Sequence, residues 1–213
     1  MTTLPLPNDL EIAPGYTVSC WRSLKLNPDE PGALDWKTAV AILDARIRCR
    51  FLEPVDELMR TEECRSRQTF GFAILAIDFL VIETLQGFRE GEIDHIGKSE
   101  RLIKSFLMQW DAFTNCLPQE VAPDKRNKLA ERIYRGYRCA LHHSGATDGA
   151  LRVGISGPVF AFENARKVKI NRTSLHKNLK REFEAYLGDL CAPDKSELRR
   201  KFLIKMNAIC GLQ

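Results

Sequence analysis

A mainly α fold, an antiparallel helical bundle with a small antiparallel β flap and two C-terminal helices, is predicted by three observations on this chain. Six segments carry apolar residues at helical spacing between capping and breaking signals. One of them, Phe72-Ala-Ile-Leu-Ala-Ile-Asp-Phe-Leu-Val-Ile-Glu, is apolar on nearly every side, as a helix inside a bundle is. Only between about 151 and 170 does the pattern shorten to strand-like alternation.

In chain order, residues 1–33 hold Pro5, Pro7, Pro14, Gly15, Pro28, Pro31 and Gly32 and read as an irregular arm, with Tyr16 and Trp21 docking part of it. Residues 34–213 read as a single domain. Asp35 is a cap before a helix over Trp36–Phe51, which Pro54 closes. A long helix is expected over about Arg65–Arg89, stopped by Gly91, and a third from Ser99 to near Asn115. After Pro118 and Pro123 a fourth runs from Asp124 to His143, with Gly145 beyond it. Leu151–Ser156, Val159–Phe162 and Val168–Ile170 form the hairpin or three-stranded flap. Thr173 or Ser174 caps a fifth helix through Asp189, and Pro193-Asp194 opens a sixth that ends near Cys210.

The 213 residues are enough to bury a core. The net charge of +4 does not by itself declare a nucleic-acid partner, so the placement of the cations has to carry that argument. Seven cysteines are scattered with no Cys-x-x-Cys pair and an odd total, against a disulfide framework and against a zinc site; no metal or cofactor is expected. Met1–Leu10 has no basic stretch followed by an apolar one, as a signal peptide would. The run Phe70–Ile82 contains Asp78 and is expected to be too short and too polar to span a bilayer. A cytoplasmic protein without a membrane partner is the expectation.

The fourth helix gathers the chemistry. Leu129, Ile133, Tyr137 and Ala140/Leu141 form one apolar stripe, and Arg138 lies about 180° from Leu129 at ~100° per residue, away from that stripe. Lys125, Arg126, Lys128, Arg132 and Arg135 outnumber Asp124 and Glu131, so the helix faces solvent, an anion or a partner subunit. Arg138-Cys-Ala-Leu-His142-His143 adds two of the chain's four histidines. Arginine offers a permanently charged fork for phosphate, and histidine moves a proton near neutral pH. In a straight helix His142, four residues on, shares the face of Arg138, whereas His143 turns about 140° from it.

Tyr134-Arg-Gly-Tyr-Arg-Cys-Ala-Leu-His-His, following an apolar bundle helix over Phe70–Glu90, resembles the HEPN superfamily (higher eukaryotes and prokaryotes nucleotide-binding domains), marked by Arg, four to six residues, then His. Arg138 and His143 match with four between, and the likeness covers about residues 36–145. It implies a HEPN-like bundle and metal-independent endoribonuclease activity in a homodimer. Arg138 would hold the phosphate and His143 would transfer the proton, with His142 as the alternate. Lys128, Arg132 and Arg135 would bind RNA. A bacterial toxin or phage-defence setting, with an antitoxin or defence partner, follows from the same likeness. Some family toxins carry a modifiable tyrosine two residues after the histidine; this chain has Gly145 there, so that route of control is not expected. The alternative is a non-catalytic HEPN-like module that binds RNA or protein or only dimerises.

Asp78 and Glu83 stand out in the apolar helix, on an arc with Gln86 and Arg89. Either the arc reaches the surface, or one acid orients Arg138 or the histidines. Arg166–Arg172 and Arg199–Lys201 are basic runs that read as solubility or as an RNA track. His95 and His176 read as surface residues. No helix-turn-helix spacing supports a DNA-binding regulator.

Overall fold

The fold is taken from a computed structural model. It describes residues 6–118, 122–139, 151–162 and 167–212, without the side chains of Pro123, Arg138 and Cys139. The elements are β1 (Glu11–Ala13), β2 (Tyr16–Thr17), α1 (Val18–Arg22), α2 (Leu34–Ile47), α3 (Glu53–Glu63), α4 (Gly71–Glu90), α5 (Ser99–Gln109), α6 (Asp111–Thr114), α7 (Pro123–Ile133), β3 (Leu151–Gly154), β4 (Phe160–Phe162), β5 (Val168–Asn171), α8 (Arg172–Cys191) and α9 (Ser196–Ile209). The protein is mainly α, with two small sheets among the described residues.

Local chemistry moves several expected boundaries. Pro54 does not end the helical path. A π-helical turn over Arg48–Leu52 follows α2, and α3 starts at Glu53, so Pro54 lies just past the π-helical turn, in the first turn of α3. The helix expected from Arg65 begins only at Gly71, because Glu62 turns back to accept the Phe70 N–H and holds the intervening residues as a loop. Trp110 adopts an extended backbone (φ −95°, ψ 118°) and divides the third expected helix into α5 and α6. Asn171, not Thr173 or Ser174, accepts the Ser174 N–H at 3.1 Å and caps α8.

The chain packs as two compact units. One comprises residues 1–53, 87–95 and 183–213; the other comprises 54–86 and 96–182. In the first, the supposedly irregular arm contains the β1–β2 hairpin and α1. Trp21 is buried and donates from Nε1 to Asn207 Oδ1 at 2.9 Å. Its ring meets Phe202 edge-on at 5.7 Å between centroids, and Trp36 and Phe88 each lie 6.0 Å from the same ring, which makes an aromatic core.

In the second unit the flap is a three-stranded sheet of order β3-β5-β4. The β4–β5 pair is antiparallel as expected, but β3 runs parallel to β5, with Leu151 opposite Val168 and Gly154 opposite Asn171. Its apolar face packs Phe160 against Trp110 and Phe113 at 6.3 and 5.3 Å. The run expected to be too short for a bilayer belongs to α4, which is long and apolar enough to cross a membrane by length and composition. Its most apolar stretch is 61% buried inside the protein, as in a core helix.

Candidate functional site

Helix α7 begins with proline in its first turn and Asp124 beside it, and its expected stripe forms: Ala130, Ile133 and Tyr137 are fully buried. Leu129 is only half-buried. Lys125, Lys128 and Arg135 are exposed, and Arg132 is half-buried. Arg135 pairs with Glu131 at 2.8 Å one turn back, an exposed bridge of small energetic weight that leaves the basic character of the face intact.

From Tyr134 to Cys139 the backbone winds as a π helix rather than an α helix. Each turn holds more residues there than in an α helix. The sheet fixes this segment. Tyr137, stacked on Phe79 at 6.3 Å, directs its hydroxyl at the carbonyl oxygens of Arg152 (2.7 Å) and Val168 (2.9 Å). A Cβ on Gly136 would lie 2.8 Å from Leu151 Cγ, so glycine lets the helix approach β3. The backbone at Arg138 is thus anchored one and two residues upstream. His142, His143, Gly145, Ala140 and Leu141 lie outside the described residues, as does the side chain of Arg138.

Asp78 and Glu83 do not lie on an arc that reaches the surface. Both are buried, with Gln86. Glu83 Oε1 accepts from the Ser99 hydroxyl at 2.7 Å, and Gln86 Nε2 donates to Ser105 Oγ at 3.0 Å, joining α4 to α5. Asp78 is wholly buried, and its Oδ1 lies 2.7 Å from Nδ1 of His176, which is wholly buried too. The other ring nitrogen of His176 lies 3.4 Å from Asp56 Oδ1, and Lys180 Nζ donates to Asp56 Oδ2 at 2.6 Å. Burial pushes the Asp78 carboxyl above the ordinary carboxylate range; the hydrogen bond from His176 opposes that rise, and the Asp56 charge adds to it.

This carboxylate–imidazole–carboxylate chain ties α3, α4 and α8 together within one unit. No solvent-exposed atom of His176 or Asp78 is available to a substrate, so the cluster holds helices and does not reach a reacting group. His176 is therefore a core residue, contrary to the surface reading. The sequence did carry a signal for it: His176 falls in the buried arc of α8 with Leu175, Leu179, Phe183, Tyr186 and Leu190, and Asp78 needed a partner. His95 is half-buried as well, with Cε1 of its ring 2.7 Å from where a Cβ on Gly87 would sit and its Nε2 2.9 Å from Lys205 Nζ.

The basic runs divide in the same way. Arg199 is wholly buried and donates to the carbonyls of Pro28, Leu190, Ala192 and Pro193, so it cannot lie on an RNA track. Arg200 remains outside and pairs with Asp29 at 2.9 Å. Arg172 is buried in an ion pair with buried Glu62. Asp56 and Glu62 were not singled out by the sequence, and Arg172 was read only as the end of a basic run, because a charge that pairs with a distant segment leaves no local spacing to read. Among the described residues no group of three or more His, Cys, Asp or Glu is arranged to hold a metal ion. No family model, curated protein or solved structure matches the chain.

Proposed function

We propose that the protein is a HEPN-like, metal-independent endoribonuclease that works as a homodimer. The observation that carries this reading is the Arg-x4-His spacing of Arg138 and His143 at the end of a basic helix whose cations Lys125, Lys128 and Arg135 face solvent. Between the two histidines, His143 is taken on the family's Arg-x4-His spacing, with His142 as the alternate.

In the proposed reaction, His143 of one protomer takes the proton of a ribose 2′-hydroxyl. The 2′-oxygen attacks the adjacent phosphorus, and the bond from phosphorus to the 5′-oxygen breaks. The leaving oxygen is protonated by the second protomer's histidine, giving a 2′,3′-cyclic phosphate and a 5′-hydroxyl. Arg138 holds the phosphoryl oxygens as negative charge builds, and Lys128, Arg132 and Arg135 bind the flanking strand.

Total RNA incubated with the protein in EDTA tests the proposal. Wild type should cleave it to cyclic-phosphate ends, and Arg138→Ala and His143→Ala should each lower the rate by about 10²-fold or more while far-UV circular dichroism is unchanged. Undiminished cleavage in both variants would overturn it. A second reading, a non-catalytic RNA-binding or dimerisation module, draws on the engagement of buried Asp78 with buried His176, which commits that acid to the core. That reading requires RNA binding without turnover by the wild-type protein.

A further inference from the structure

A cavity of about 360 Å³ lies in the second unit where the start of α4 meets the end of β3. Its size suits a small organic ligand. Two features of its wall, and one lysine beside it, select an oxyanion.

The first is Arg172. Its side chain is only 4% exposed and lines the cavity. Nη2 is held by Glu62, which also accepts the Phe70 N–H, while the other terminal nitrogen, Nη1, is buried with no partner among the described residues. Guanidinium presents several donors in a fixed plane, so a carboxylate on one nitrogen orients the group and leaves the next for a second acceptor. A buried donor without a partner costs free energy, and a ligand oxygen would relieve it.

The second is the first turn of α4. Gly71 opens this twenty-residue helix and lines the cavity, so amides without intrahelical partners and the positive end of the helix dipole lie at its wall. A side chain at Gly71 would crowd this wall, because its Cβ would sit 3.0 Å from Val153 Cγ1 and 3.4 Å from Arg172 Cδ.

The third is Lys169. Its side chain crosses Gly154, another lining residue, so that a Cβ there would lie 3.0 Å from the ammonium nitrogen. Glu62 neutralises the Arg172 charge at this wall, and Lys169, which lies beside the cavity over Gly154 and not on its wall, restores a positive balance with the helix end. Phe72, 41% exposed, lines the same cavity with its aromatic ring. Such a ring offers a face to a flat organic group.

We infer that this cavity binds a phosphate monoester, its phosphoryl group held by Arg172, Lys169 and the first turn of α4, and its organic part lying on Phe72. The inference does not depend on the ribonuclease reading. It is tested by isothermal titration of the full chain with adenosine 5′-monophosphate, inorganic phosphate and adenosine at fixed ionic strength. The monophosphate should bind saturably with a Kd below about 1 mM, tighter than phosphate, with adenosine weaker by at least about tenfold. Lys169→Met should weaken both phosphate-bearing probes about tenfold. Phe72→Ala should weaken the monophosphate about tenfold and leave inorganic phosphate unchanged. Lys169 is half-buried and Phe72 exposed, so neither change leaves a buried charge unpaired, as Arg172→Gln would by stranding Glu62. Absence of saturable monophosphate binding, adenosine binding as tightly as the monophosphate, or indifference to both substitutions would overturn the inference.

Discussion

His176→Ala is the most informative single perturbation of the buried cluster. The ring is wholly enclosed and lies 2.7 Å from an equally enclosed Asp78, so its removal strands a carboxyl group with no described partner. Breaking one side of a buried charged pair costs about 3–5 kcal/mol. For a chain of this size each kcal/mol lowers Tm by roughly 2–4 °C, so the variant should melt roughly 6–20 °C below wild type. Asp78→Ala should be comparably damaging. Once either partner is gone the other contributes little, so the double variant should be milder than the sum of the singles by about 2 kcal/mol, the weight of one charge-assisted hydrogen bond. Urea denaturation of the four proteins at pH 7 measures that coupling. A coupling below about 0.5 kcal/mol would refute the claim that the two residues form one unit.

The cluster also has a pH signature. Burial raises the Asp78 carboxyl above its reference value of 3.8, so the folded protein keeps this proton to a higher pH than the unfolded chain does. The stabilising contribution is therefore complete below about pH 4 and is lost as pH rises through the raised folded value. The amide that Asp78→Asn introduces cannot titrate. The stability of this variant relative to wild type should accordingly grow as pH rises above about 4, and urea midpoints that move in parallel would contradict this. Tyr137→Phe removes the hydroxyl shared by the Arg152 and Val168 carbonyls and should cost about 1–3 kcal/mol in urea denaturation with little change in m-value. Gly136→Ala drives a methyl group into buried Leu151 and should destabilise by about 1–3 kcal/mol, and a second change, Leu151→Val, should recover part of that loss. Arg199→Met leaves up to four carbonyls short of a donor and should cost about 3 kcal/mol, whereas Arg200→Ala, which breaks exposed contacts with Asp29, Glu197 and Ser196, should cost under about 1 kcal/mol; thermal melts of the two variants compare them directly.

Helices leave a periodic mark on the chain, and most of these were legible. The apolar stretch of α4, the Ser99 start of α5, the stripe through Ile133 and Tyr137, and the C-terminal pair α8 and α9 all follow from spacing and punctuation. The antiparallel β4–β5 pair was legible from alternation, but the parallel partnership of β3 with β5 was not, since alternation is the same in either direction. Helix α3 was missed because Pro54 serves equally as a stop signal and as a first-turn residue, and the local sequence does not say which.

Local spacing was enough to establish a mainly α protein, a basic helix ending toward Arg138, and an acid at Asp78 that had either to reach the surface or to find a partner. What that acid meets is a matter of packing. It meets His176, 98 residues further along the chain, and Glu62 likewise meets Arg172 at a separation of 110. Periodicity reports which face of a helix avoids water, because that preference acts within a few turns. The partner of a buried charge is set by which helices pack side by side, and nothing in the spacing of either segment encodes that choice.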